Sequence, residues 1–303
     1  MGNKREPKRK PPKTITHVKG ALDQFFFDMD NLQNDPIFGI SPESGYTFLN
    51  QLLVGKHAPR FSIISVPEKY WTTALGASII AELSIRNNRS IGYFSLSISS
   101  SYFTGVLLSI VADVDLHLMR SGRLPSERWP DLSTASRDLV ETEMYIDDAR
   151  PLTIKVFRRQ ALKMMEKSKI DLFVIDSLQF ILCKKYHSNK AHNYQKICKS
   201  LKNISEELNV SILLMSEFSD EYDADDFRTA SDCTELASLQ GYTRIADAEL
   251  CLIPGESVKD GRLFNLHLYE NYDGLTGTIE LLRNNSGGGF KDRTQQPIQL
   301  TDS

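Results

Sequence analysis

Apolar residues along this chain gather first into short continuous runs. Residues 61–66 (Phe-Ser-Ile-Ile-Ser-Val), 90–96, 170–175 and 211–215 are each too short for a globular helix and read as strands buried on both faces. Between them lie segments whose apolar positions recur every three to four residues, at 72–86, 103–111, 156–167 and 194–208, and these read as helices. Residues 144–147 add one more short strand. Strands alternating with helices predict an α/β fold with a mostly parallel central sheet flanked by helices on both faces. Beyond residue 247 the pattern changes. Residues 248–253, 263–269 and 277–282 read as strands separated by Gly-rich turns, so antiparallel hairpins are expected to finish the sheet, with Gly287-Gly288-Gly289 as a turn near the last of them.

The N-terminal part is different in kind. Residues 1–19 hold Lys4, Arg5, Lys8, Arg9, Lys10, Lys13 and Lys19 against a single acid, Glu6, and read as a basic disordered tail. Residues 20–36 follow with Leu22, Phe25, Phe26, Met29 and Leu32 at helical spacing, giving an amphipathic helix ended by Asn34-Asp35-Pro36. Its apolar face packs either on its own domain or on a neighbouring subunit. Residues 37–293 make one domain, and 294–303 a C-terminal tail.

Composition narrows the picture only a little. With 41% hydrophobic and 25% charged residues the chain is of ordinary globular type. No apolar run reaches the length of a membrane span. Four cysteines stand far apart with no C-x-x-C pair, so neither a zinc site nor a disulfide framework is suggested and a cytoplasmic setting is expected. The net charge is −3, so removing the basic tail leaves a distinctly acidic body.

The candidate chemistry begins where the first core strand leads into a helix through Pro67-Glu-Lys-Tyr-Trp-Thr-Thr73, the place of a phosphate loop in nucleotide-binding folds. Asp176 follows a later apolar strand, where such folds keep a magnesium-holding carboxylate. Other segments add specificity: Gly39-Ile-Ser-Pro-Glu-Ser-Gly-Tyr-Thr-Phe-Leu-Asn50, Tyr93-Phe-Ser-Leu96, Tyr145-Ile-Asp-Asp148, Val174-Ile-Asp-Ser-Leu-Gln179, Lys199-Ser-Leu-Lys-Asn-Ile-Ser-Glu-Glu-Leu-Asn-Val210, Met215-Ser216 and Ala246-Asp-Ala-Glu249. In order and spacing these resemble the C-terminal motor domain of the DnaB-type replicative DNA helicases, over roughly residues 39–290. The resemblance implies a RecA-like P-loop NTPase fold and a part in DNA replication. It also implies that the helix at 20–36 is the linker packing on an adjacent subunit, with Leu22, Phe25, Phe26 and Met29 as its interaction face.

Against that family's pattern the hydrolytic positions have changed. The family has Pro-Ser-x-Gly-Lys-Thr-Thr at the loop; here Tyr70 stands for the glycine and Trp71 for the lysine. A phosphate cradle needs glycines so that backbone N–H groups can close on the phosphates, and a lysine to offset their charge. Ser97 occupies the place of the water-activating glutamate, and a hydroxyl cannot take that proton at neutral pH. Glu217 replaces a glutamine that senses the γ-phosphate. In Tyr269-Glu-Asn-Tyr-Asp-Gly274, Glu270 and Tyr272 replace the lysine and arginine that reach a neighbour's nucleotide. Thr72, Thr73 and Asp176 remain as vestigial nucleotide-binding positions, Thr72 and Asp176 being metal ligands only where magnesium nucleotide still binds; their structural reading is a helix-start residue and a strand-end acceptor.

Two loops correspond to the family's strand-tracking loops. The first, residues 183–196, carries Lys184, Lys185, Lys190 and Lys196 with no acid, and Tyr186 and Tyr194 to stack on bases. The second, residues 217–235, sets eight acids against Arg228 and would repel phosphates. The expectation is therefore a DnaB-like homologue without catalysis and with no cofactor, serving as a subunit or regulator. Its expected partners are an intact replicative helicase, another replication protein or further copies of itself, with weak single-stranded DNA contact and no membrane. The alternatives are an active ATP-dependent 5'-3' helicase using Mg–ATP at a divergent site, and a DNA-binding accessory protein.

Overall fold

The computed structural model describes residues 60–183, 190–217, 245–271 and 275–293, together with residues 18, 22, 301 and 302. The chain divides into two units, Met1–Ser41 and Pro42–Ser303. In the first, Val18 and Leu22 are helical and exposed. Phe25, Phe26 and Met29 lie outside the described residues.

The second unit is built on one sheet. β1 (Phe61–Val66), β2 (Ile91–Ser95), β3 (Met144–Asp147), β5 (Leu172–Asp176) and β7 (Ser211–Glu217) run parallel in the order β1-β7-β5-β2-β3, and β8 (Ala248–Val258) adds to β1 in the same direction. β9 (Gly261–Asn271), β10 (Leu275–Asn284) and β11 (Phe290–Asp292) then extend the sheet antiparallel, as their turn-separated pattern predicted. β12 (Thr301–Asp302) pairs with β10, and a small separate ladder joins β4 (Leu152–Thr153) to β6 (Ile181–Leu182).

Every residue of β1 and β5 is buried, because helices cover both faces. Alternate positions divide between two cores. Ile64, Val66, Leu172, Val174, Leu213 and Met215 face α1 (Lys69–Ala81) and α2 (Ser100–Ala112). Phe61, Ile63, Phe173, Ile175, Ile212 and Leu214 face α5 (Ile154–Met165) and α6 (Lys190–Leu208). Burial on both faces makes a polar side chain costly unless it is hydrogen-bonded, and Ser62 of β1 is a small exception, its Oγ buried without a partner among the described residues.

Two helices went unread in the sequence: α3 (Leu116–Arg120) and α4 (Trp129–Val140). α4 buries only Ala135 fully and leaves Trp129 and Val140 exposed, so its apolar periodicity is blurred. α6 begins at Lys190, which places Lys190 and Lys196 on a helix and not in a loop; Lys184 and Lys185 lie outside the described residues. Cys251 is disulfide-bonded, against the expectation from cysteine spacing, whereas Cys198 is a buried thiol. No helix among the described residues is long and apolar enough to cross a membrane.

Candidate functional site

The carboxyl ends of β1, β7 and β5 lie side by side, and the predicted site residues collect there. β1 passes into α1 through Pro67 and Glu68 alone. Glu68 is extended, and its carbonyl accepts from the N–H groups of Trp71 (3.0 Å) and Thr72 (3.1 Å). Those two donors are thereby consumed by the first turn of the helix, and Pro67 has no N–H to offer.

Tyr70 and Trp71 diverge because successive helical residues point about 100° apart. Trp71 is 6% exposed and packs edge-on against Phe264 of β9, with ring centroids 4.8 Å apart, while Phe264 in turn meets Phe290 at 5.1 Å. Tyr70 is 55% exposed, with the Arg283 guanidinium 4.7 Å from its ring centroid. The pair therefore does not fill one common space. One ring belongs to the core, the other to the surface beside the helix start.

Thr72 and Thr73 also separate. Thr72 is fully buried and its Oγ1 donates back to the Glu68 carbonyl at 3.1 Å. Thr73, the residue after the expected metal position, is the one that reaches Asp176, donating to Oδ2 at 2.8 Å. Tyr93 of β2 donates its hydroxyl to the same oxygen, also at 2.8 Å. Tyr93 was not singled out as a site residue by sequence; it is fully buried and stacked on Phe103, centroids 3.9 Å apart. Burial, and then the adjacent Asp176 carboxylate, push its phenol well above the usual tyrosine range.

The neighbouring positions differ in how far they are tied into the framework. Ser97 Oγ is buried with no hydrogen-bond partner among the described residues. Glu217, at the end of β7, accepts from Ser177 Oγ at 2.8 Å. The Gln179 side-chain amide clasps the Glu217 backbone from both sides, Nε2 to the carbonyl at 2.7 Å and Oε1 from the N–H at 3.1 Å. Glu270 of β9 lies opposite the fully buried Glu249, whose carboxylate accepts from Tyr269 at 3.1 Å. Tyr272 lies outside the described residues.

Other motif residues are explained by local bonding. Asp148 accepts from the Ser100 N–H at 2.7 Å at the start of α2, and this bond holds its carboxyl below the usual range. Asp247 accepts from the Phe61 N–H at 3.0 Å and pairs with Lys202 at 2.7 Å, anchoring the first residue of β1.

Beside Tyr70 opens a cavity walled by α1, α2, α3 and the glycine turn between β10 and β11. Gly288 has φ +67°, and a Cβ on Gly287 would stand 2.6 Å from the Ser109 carbonyl, so the turn lies hard against α2. Asp113 at the end of α2 fastens it there, accepting from Asn284 Nδ2 (2.6 Å), Gly287 N–H (3.2 Å) and Lys291 Nζ (3.0 Å).

Comparison with known proteins agrees with this fold. Residues 39–247 match the DnaB-like helicase C terminal domain family. The chain is 31% identical over 196 residues to the replicative DNA helicase DnaB of Rickettsia typhi, covering 61% of this chain and 39% of that protein. It is 26% identical over 280 residues to the DnaB of Buchnera aphidicola, covering 91% and 57% respectively. Among solved structures, an isolated ATPase domain superposes with a TM-score of 0.76 at 19% identity, over 92% of this chain and 99% of that one. A DnaB-like replicative helicase studied for its interactions with primase gives 0.73 at 20% identity, over 91% and 67%. The chain thus spans less than two thirds of the length of these curated helicases.

Proposed function

Since the chain belongs to the DnaB-like helicase C-terminal domain family, we propose that it serves DNA replication as a non-catalytic relative of the helicase motor, acting as a subunit or regulator of a helicase assembly. The observation that carries this reading is the junction between β1 and α1. A nucleotide motor needs free N–H groups, a glycine and a lysine at that point. Here the Trp71 and Thr72 N–H groups close the helix, Trp71 is buried against Phe264, and Tyr70 stands at the glycine position.

The residues present do not suit magnesium nucleotide. Asp176 Oδ2 is held by two hydroxyl groups, and Thr72 Oγ1 is turned to its own helix. Ser97 supplies no base, and Glu217 would set a negative charge near a phosphate. The partners that fit this reading are an intact replicative helicase or further copies of the chain, with single-stranded DNA contact limited to lysines such as Lys190 and Lys196.

The test is steady-state ATP hydrolysis with Mg2+ and single-stranded DNA. No turnover above background is expected, and turnover that vanishes in Asp176→Ala would overturn the reading. Mass measurement of complexes recovered with the tagged chain then separates a mixed helicase assembly from a homo-oligomer.

A further inference from the structure

The cavity beside Tyr70 has two lobes that share Tyr70, Tyr102, Ser109, Leu116, Gly287 and Gly288. One lobe, of about 300 Å³, is floored by Ala74, Ile98, Val106 and Leu116. The other, of about 550 Å³, is polar and is bordered by Arg120, Arg283 and His117. Together they have the size and the mixture of apolar wall and few polar groups found in small-molecule sites.

The charges in the polar lobe are not balanced from within. Neither guanidinium forms an ion pair with a carboxylate among the described residues. Asp115, the acid bordering the lobe, gives its Oδ1 to the start of α3, accepting from the His117 and Leu118 N–H groups at 2.6 and 3.2 Å, so the lobe sets two guanidinium groups against one carboxylate. Arg120 lies over the Tyr102 ring, 4.4 Å from its centroid, just as Arg283 lies over Tyr70. Stacking fixes a guanidinium against the wall without using its N–H groups. Arg283 Nε is buried with no hydrogen-bond partner among the described residues, a donor in want of an acceptor.

We propose that this cavity binds a small aromatic anion, its ring on the apolar floor beside Tyr70 and Tyr102 and its carboxylate, sulfonate or phosphate-ester group held by Arg120 and Arg283. The inference goes beyond the non-catalytic reading but rests on it, since the cavity is lined by Tyr70 and Thr73 of the nucleotide positions, and a Mg–ATP competition separates the two.

The probe is 1-anilinonaphthalene-8-sulfonate, titrated by fluorescence into the full chain. Saturable one-to-one binding is expected, weakened about tenfold by Arg283→Gln or by Arg120→Gln, as loss of a charge-assisted hydrogen bond implies, and abolished by Leu116→Trp, which fills the apolar lobe. 2-Naphthoate should displace the dye and neutral 2-naphthylmethanol should not. Absence of saturable binding overturns the proposal. So does dye binding unchanged in the Arg120→Gln/Arg283→Gln double variant with its melting temperature retained, which keeps the test decisive where Leu116→Trp misfolds. Equal displacement by the acid and the alcohol would reduce the cavity to an apolar pocket and overturn the anion. Displacement by Mg–ATP but not by 2-naphthoate would hand the site to nucleotide.

Discussion

The ends of β1 and β5 flank the end of β7 on one side of the sheet, yet they are filled in opposite ways. At β5 a buried carboxylate, Asp176, persists because two hydroxyl groups from other elements, Thr73 and Tyr93, satisfy it. At β1 the chain enters a regular helix start, and a tryptophan is sunk into the core. The difference lies in what each feature does when no ligand is present. A carboxylate that accepts hydrogen bonds from its own fold supports that fold, and removing it strands the donors. A helix start whose Trp71 and Thr72 N–H groups bond within the first turn, with its indole packed in the core, is held by local bonding and apolar burial instead.

That contrast can be broken at graded cost. The largest effect should come from Trp71→Ala, which empties the contact with Phe264 and is expected to cost about 3–5 kcal/mol in urea unfolding; a loss under about 1 kcal/mol would mean that the ring is not part of the core. Asp176→Ala leaves two buried hydroxyl groups without their acceptor, and roughly 3 kcal/mol of destabilisation is expected from the same measurement.

Tyr93→Phe removes one of those bonds, for about 1 kcal/mol at neutral pH. It also tests the phenol's raised pKa. The folded protein keeps this proton to higher pH than the unfolded chain does, so stability is complete below about pH 10 and falls as pH rises from there toward the raised value. In Tyr93→Phe that part of the alkaline loss should disappear, and an unchanged alkaline profile would sever Tyr93 from Asp176. The smallest effect is expected one residue before Trp71: Tyr70→Ala should cost less than about 1 kcal/mol, its exposed ring giving up mainly the Arg283 stacking.

How far the sequence could be read follows from the range of the forces involved. β1, β5 and β7 were legible because burial on both faces leaves an uninterrupted apolar run, and the hairpins because glycine turns bound them. α4 was not, since its buried stripe is little more than Ala135. At the site, the sequence shows which residue types follow β1 and β2, Tyr70, Trp71 and Ser97 among them, but not how they pack. Which threonine meets Asp176 could not, because that depends on the rotation of α1 against a strand 103 residues away in sequence. The role of Tyr93, 83 residues from the same carboxylate, was hidden for the same reason. The stacking of Arg283 on Tyr70 likewise brings together distant parts of the chain.

The position of β1 within the sheet also bears on how the chain is made. Its neighbours are β7, paired from Ile212, and β8, paired from Ala248. During synthesis a wholly buried strand with both hydrogen-bonding edges open therefore waits for most of the polypeptide to emerge before either edge can be covered. A nascent chain stalled before Ala248 carries that open edge, and these are the conditions under which strands pair with the wrong molecule.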